Sequence, residues 1–209
     1  GWDIDDLTVQ PSPEISDYTL LWVDAGLSDV DQTQLKGWIQ KGGTLVLSRM
    51  DPTVFEKWKE LIPFSFRLQT SPRDIRYGGE LQRNQSCALF EGISNYDLWW
   101  KRGSMPRYGP KMRITAVPAE FQIVPRTKPS SLVEVLQPGA MFKMPVGKGK
   151  LILDQMRWEE AFEKEQRSRR VFATWLRNLG VLRRGKVRQG SSSTFVPIAL
   201  KANHRLVPG

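Results

Sequence analysis

Cys87 and His204 are the only cysteine and the only histidine in the chain, so they are the only pair that could form an activated thiolate. A cysteine hydrolase needs an imidazole within reach of the sulfur and usually a sharp glycine-flanked turn to present it. Cys87 stands in NQSCALFEG with no glycine within two residues, and His204 lies in the tail beyond a basic, Gly- and Ser-containing stretch. The pair would have to bridge two modules, and Cys87 is instead expected as a small buried or half-buried side chain. A single histidine also argues against a Ser-His-Asp triad and against His-based metal sites. A single cysteine excludes an internal disulfide framework and a thiolate-rich zinc site. No GxGxxG follows the first apolar run and no GxxxxGK[ST] occurs, so neither a metal nor a nucleotide cofactor is expected.

Three acids end apolar runs: Asp24 after YTLLWV, Asp51 just after TLVLS, and Asp154 after KLIL. Ligands of open α/β sheets bind at that edge, but aspartates there also cap helices and turns. Paired carboxylates can hydrolyse glycosides, although nothing in the spacing pairs any two of these. A second group is aromatic. Tyr96, Asp97, Trp99, Trp100, Arg157 and Trp158 place flat rings beside polar side chains, a combination that stacks on sugar C–H faces and hydrogen-bonds hydroxyls. The same residues would equally pack under a loop or contact a neighbouring domain.

Both groups depend on the elements that carry them. YTLLWVDAG is apolar throughout, as a strand buried on both faces would be. LSDVDQTQLKGWIQKGG predicts a helix, with Ser28 and Asp31 in capping-box spacing and Gly42–Gly43 as its stop. TLVLS is the next buried strand, which completes a βαβ unit. PTVFEKWKELI predicts a further helix with proline in its first turn. Residues 63–118 break into short pieces, as an irregular insertion would. AEFQIVP and SLVEVLQ alternate like strands, and AMFKMPVGKGKLILDQM reads as a hairpin turning at Gly147–Gly149. EEAFEKEQRSRRVFATWLRNLG predicts a closing amphipathic helix whose apolar face holds Phe162, Val171, Phe172, Trp175, Leu176 and Leu179. RRGKVRQGSSS has the composition of a linker.

The charge distribution bears on partners. Residues 1–60 carry 5 basic and 11 acidic side chains, and residues 61–209 carry 26 and 11, so the net charge of +9 belongs to the later part. Its clusters fall on the closing helix and the linker, without a nucleic-acid-binding motif, and solvated surface charge is the expectation. No window reaches the roughly 18 apolar residues of a membrane span. The chain opens on Gly1 without a signal-peptide pattern, and it is expected to be a piece of a longer protein. Neither nucleic acid nor membrane is expected as a partner.

Three stretches carry a family likeness. DYTLLWVDAGLSDVDQTQLKGWIQKGGTLVLS, LFEGISNYDLWW and VGKGKLILDQMRWEEAFEKEQRSRRVFATWLRNLG together cover most of residues 17–181. Their order resembles the class I glutamine amidotransferase-like domains found as non-catalytic modules in large bacterial glycoside hydrolases, and the related β-galactosidase trimerisation domain. FVPIALKANHRL resembles the opening strand of the sugar-binding β modules that often follow. The resemblance implies a flavodoxin-like three-layer α/β sandwich. Its central sheet would be mostly parallel, with an irregular insertion, a C-terminal antiparallel hairpin and a closing helix. Residues 1–182 would form this domain, 183–193 a linker, and 194–209 the start of an incomplete following module. Catalytic members use a cysteine on a nucleophile elbow with a histidine and a glutamate, which this chain cannot supply.

The expected function is therefore that of a non-catalytic accessory module of a multidomain carbohydrate-active enzyme, packing on or oligomerising the glycoside hydrolase. Two alternatives stand beside it: a carbohydrate-binding module using the Tyr/Trp group, and a hydrolase working from Asp24, Asp51 and Asp154. Expected partners are other domains of the same polypeptide, a second copy of the chain, or carbohydrate. A polysaccharide-degrading parent would place the protein in the periplasm or outside the cell.

Overall fold

The computed structural model describes residues 15–26, 31–71, 87–95, 97–98, 119–158 and 169–181 in full, and the backbone alone at 5–6, 80–81, 103–104, 113–114, 166–168 and 198–201. The strands are β1 (Asp5–Asp6), β2 (Tyr18–Asp24), β3 (Thr44–Ser48), β4 (Phe66–Thr70), β5 (Glu80–Leu81), β6 (Gly103–Ser104), β7 (Arg113–Ile114), β8 (Phe121–Pro125), β9 (Val133–Gln137), β10 (Met141–Val146), β11 (Gly149–Asp154) and β12 (Ile198–Lys201). Among the described residues the α-helices are α1 (Gln32–Lys41), the single turn α2 (Phe55–Trp58) and α3 (Gln166–Asn178).

The two nearly continuous apolar runs, β2 and β3, lie side by side in parallel, and β11 lies parallel on the far side of β3. Leu20, Thr44 and Lys150 are in register at one end of this trio, and Asp24, Ser48 and Asp154 at the other. Around it the pairings are antiparallel, giving an eight-stranded order β1-β12-β2-β3-β11-β10-β9-β5. The β10–β11 hairpin turns at Gly147, whose φ is 61°. The tail expected to open a following module contributes β12 to this sheet, antiparallel to β2 with Ala199 opposite Leu21.

Both faces of the sheet are covered, because successive side chains of a strand point to opposite sides. Leu20, Trp22, Val46 and Ile152 pack with Phe172, Trp175 and Leu176 of α3. Leu21, Val23, Leu45, Leu47, Leu151 and Leu153 pack with Leu35, Trp38 and Ile39 of α1 and with Trp58 of α2. The chain is thus a mixed α/β protein with helices on either side of a central sheet. A separate β4–β8 ribbon carries Phe66 and Ile123 into the α1-side core.

Helix α1 is capped by Asp31, whose carboxylate accepts from Thr33 N at 2.9 Å and Gln34 N at 3.1 Å. The expected capping box began at Ser28, which lies outside the described residues. Gly42, at φ 131°, ends the helix and donates to the Ile39 carbonyl. Among the described residues no helix is long and apolar enough to cross a membrane.

Candidate functional site

The C-terminal ends of β2 and β3 open onto a cleft of about 490 Å³. Asp24, Arg49, Asp51, Glu120 and Arg157 line it, together with Met50, Pro52, Thr53, Phe121 and Gln155. The position follows from the parallel trio, because strands that all run the same way end together and their connecting loops splay apart.

Asp24 accepts from Gly26 N at 2.9 Å and forms an ion pair with Arg49. Arg49 has φ 56°, the left-handed region that side-chain-bearing residues rarely enter. Its backbone N–H donates to the Asp154 carbonyl at 2.9 Å, which continues the β3–β11 ladder one residue further. Asp51 closes the next turn, accepting from Thr53 N at 2.7 Å, from the Thr53 hydroxyl and from Val54 N at 3.2 Å. The hydroxyl bond is the main reason its carboxyl titrates below the ordinary value, with burial opposing and the two backbone donors assisting.

The floor of the cleft is stitched by Gln155. Its Oε1 accepts from Met50 N, and its Nε2 donates to the Met50 carbonyl, both at 2.8 Å. The same nitrogen reaches the Phe121 carbonyl at 3.4 Å. Arg157 Nη1 donates to Glu120 Oε2 at 3.0 Å, so a second ion pair lines the opening. The Ala119–Met156 bridge brings these two residues together.

Asp154 is fully buried. Its carboxylate accepts from Trp158 Nε1 at 2.6 Å and from Met156 N at 3.0 Å. Trp158 is 1% exposed and stacks on Trp175, with ring centroids 5.1 Å apart and planes 13° from parallel. Of the three strand-end acids, Asp24 and Asp51 therefore line one cleft, and Asp154 supports the core beside it.

The aromatic group divides too. Arg157 faces Glu120 and the cleft, whereas Trp158 joins the core. Asp97 accepts from Ser94 N at 2.9 Å and Ser94 Oγ at 2.7 Å, and pairs with Arg170 of α3. Burial pushes the Asp97 carboxyl up, but the Ser94 bonds and the Arg170 charge outweigh it and hold the group below its ordinary value. Asn178 of α3 donates to the carbonyls of Leu89 and Glu91, which fastens the same loop to the helix. Tyr96, Trp99 and Trp100 lie outside the described residues, as does His204. Cys87 is a free thiol, half-buried against the α3-side core.

Sequence reasoning missed Arg49, Glu120, Phe121 and Gln155 as neighbours of Asp24 and Asp51. Arg49 and Gln155 directly follow strands, which is the one signal that could have marked them. Among the described residues no group of three His, Cys, Asp or Glu side chains is arranged to hold a metal ion.

No protein-family model matches the chain, and no curated protein matches it. Among solved structures, the chain is similar to the exo-β-1,4-mannosidase Op5Man5 from Opitutaceae bacterium strain TAV5, at 14% identity and a TM-score of 0.44. The match covers 83% of this chain and 27% of that one, so the chain spans about a quarter of the enzyme's length.

Proposed function

We propose that the chain is a non-catalytic accessory module of a multidomain carbohydrate-active enzyme, packing on, orienting or oligomerising a glycoside hydrolase domain. One observation carries the non-catalytic part of this reading: the strand-end acids are held in structural bonds. Asp154 is buried against Trp158, Asp24 is paired with Arg49, and Asp51 closes the turn before α2. A general acid or nucleophile of a glycosidase needs a carboxyl group that faces the scissile bond together with a second one at a set separation. The attachment to a glycoside hydrolase rests on the resemblance of LFEGISNYDLWW and VGKGKLILDQMRW to modules of such enzymes.

On this reading the fold is a flavodoxin-like, glutamine amidotransferase-like relative of the β-galactosidase trimerisation domain. Residues 1–182 form the body of the domain and 183–193 a linker, after which Ile198–Lys201 add β12 to the same sheet. The test is turnover. The isolated chain, incubated with a panel of aryl glycosides, should release no aglycone above buffer. Hydrolysis that disappears in Asp24→Asn, Asp51→Asn or Asp154→Asn would overturn the reading and favour a hydrolase.

A further inference from the structure

We infer that one water molecule is built into the β4–β8 ribbon, bound between Ser71 Oγ and Gln122 Nε2. Both atoms are buried, and among the described residues neither has a hydrogen-bond partner. Gln122 is 7% exposed, so its amide lies inside the protein rather than at its surface. A buried donor left unpaired bears the full cost of its desolvation, and native proteins leave few such groups unanswered. Strand register places the two atoms on one side of the ribbon. Gln122 lies opposite Gln69. The Ser71 N–H donates to the Glu120 carbonyl at 2.8 Å, one step beyond the pair of Thr70 and Phe121. Side chains alternate along a strand. Leu68 and Ile123, opposite each other, turn to the α1-side core, so Gln69, Ser71 and Gln122 share the other face.

Ser71 and Gln122 are therefore diagonal neighbours, a relation that sets Cα atoms about 7–8 Å apart and Cβ atoms somewhat closer. Two hydrogen bonds of about 2.8 Å, end to end through one water oxygen, cover what the glutamine side chain leaves of that gap. The chemistry is complementary at both ends. The amide nitrogen only donates, and a water oxygen accepts from it. The serine hydroxyl then takes a proton from the water or donates to its second lone pair. Buried waters hold two to four such bonds, to groups that the protein itself leaves unpaired. Because both atoms are closed off from solvent, the site has no opening for a sugar hydroxyl or a partner's side chain. Trp175 Nε1 is also buried without a partner, but it packs among the rings of the α3-side core and belongs to no such pair. The ribbon carries Glu120 and Phe121 to the wall of the cleft. The water therefore fastens that wall, joining its two chain segments through side chains as well as backbone.

The inference goes beyond the accessory reading and does not depend on it. The experiment is water-oxygen magnetic relaxation dispersion on the full chain, which counts long-lived waters without interference from exchanging hydroxyl protons. Gln122→Met and Ser71→Ala should each lower the count by one, whereas Gln34→Met on α1 leaves it unchanged. Urea unfolding supplies a second reading that differs in sign. With a shared water, each single variant should lower the folding constant by about fivefold or more. The double variant should then be no worse than the worse single. Without a water, apolar replacement would relieve an unpaired group, and the singles would be neutral or more stable. If a variant fails to fold, a high-resolution crystal structure of the unaltered protein decides alone. An ordered oxygen within hydrogen-bonding distance of both atoms supports the water, and its absence or a direct Ser71–Gln122 bond overturns it. An unchanged count, neutral or stabilised singles, or losses that multiply in the double variant would overturn it as well. Aryl glycoside turnover would count against the accessory reading alone, so the two can fail separately.

Discussion

Two carboxylates show how neighbours decide what an aspartate does. Asp154 sits in the core and answers an indole N–H, a structural task that leaves nothing facing solvent. Asp97 is nearly as buried, yet it meets the Ser94 hydroxyl and backbone and the Arg170 guanidinium, and these hold its carboxyl below the ordinary value. The sign of its linkage to folding follows. A carboxyl group lowered in the folded state contributes stability that is fully present above its unfolded value. That contribution is lost as pH falls through the folded value. Acidification below about pH 4, near the usual aspartate range, should therefore destabilise the protein partly through Asp97. In Asp97→Asn the stability at neutral pH should be lower, and the further drop on acidification smaller, in urea titrations at pH 7 and pH 3. An unchanged acid limb in the variant would show that the Ser94–Asp97–Arg170 cluster does not contribute to acid unfolding.

At the scale of elements, the tightest constraint is where the start of β11 passes α1. A Cβ added to Gly149 would lie 2.1 Å from the Ile39 carbonyl oxygen and 2.2 Å from that of Gly43, both backbone atoms that cannot step aside. Gly149→Ala should lower stability by about 1–3 kcal/mol, as overpacking does. Gly37, inside α1, has nothing within 4 Å of the same added atom, and Gly37→Ala should raise stability by roughly 0.5–1 kcal/mol through helix propensity. Thermal unfolding of the two variants checks both signs. The β2, β3 and β11 strands and α1 were legible because their apolar runs and stops are local signals. Helix α2 was not: the apolar spacing of Val54, Phe55, Trp58, Leu61 and Ile62 suits three turns, but one forms. Pro63 disfavours helical backbone at Ile62, and the amides of Leu61 and Ile62 both turn back to the Trp58 carbonyl. The cleft was half legible. Asp24 and Asp51 mark the ends of their strands, but Gln155 reaches Met50 across 105 positions and Glu120 arrives from beyond the irregular stretch. Such juxtapositions depend on strand order, which no local pattern encodes.

For the molecule as a whole, β12 covers the edge of β2 and carries β1 on its far side. An uncovered edge of this kind presents a row of unpaired backbone groups, a template for another chain. A protein ending at residue 182 should unfold at a lower temperature and self-associate in sedimentation velocity, with the full chain as reference. A truncated protein that stays monomeric and equally stable would mean that β12 adds nothing to the sheet. Both cores hold large rings, and on the α3 side Trp22, Phe90, Trp158, Phe172 and Trp175 belong to one cluster. Trp158 and Trp175 are stacked, and Trp22 meets Trp175 edge-on at 5.1 Å. Chromophores this close share their excitation, so absorbed light migrates among the three indoles and is emitted from whichever lies lowest in energy. The emission of this trio is a single optical signal of the α3 layer. It should report the release of that helix from the sheet as one event.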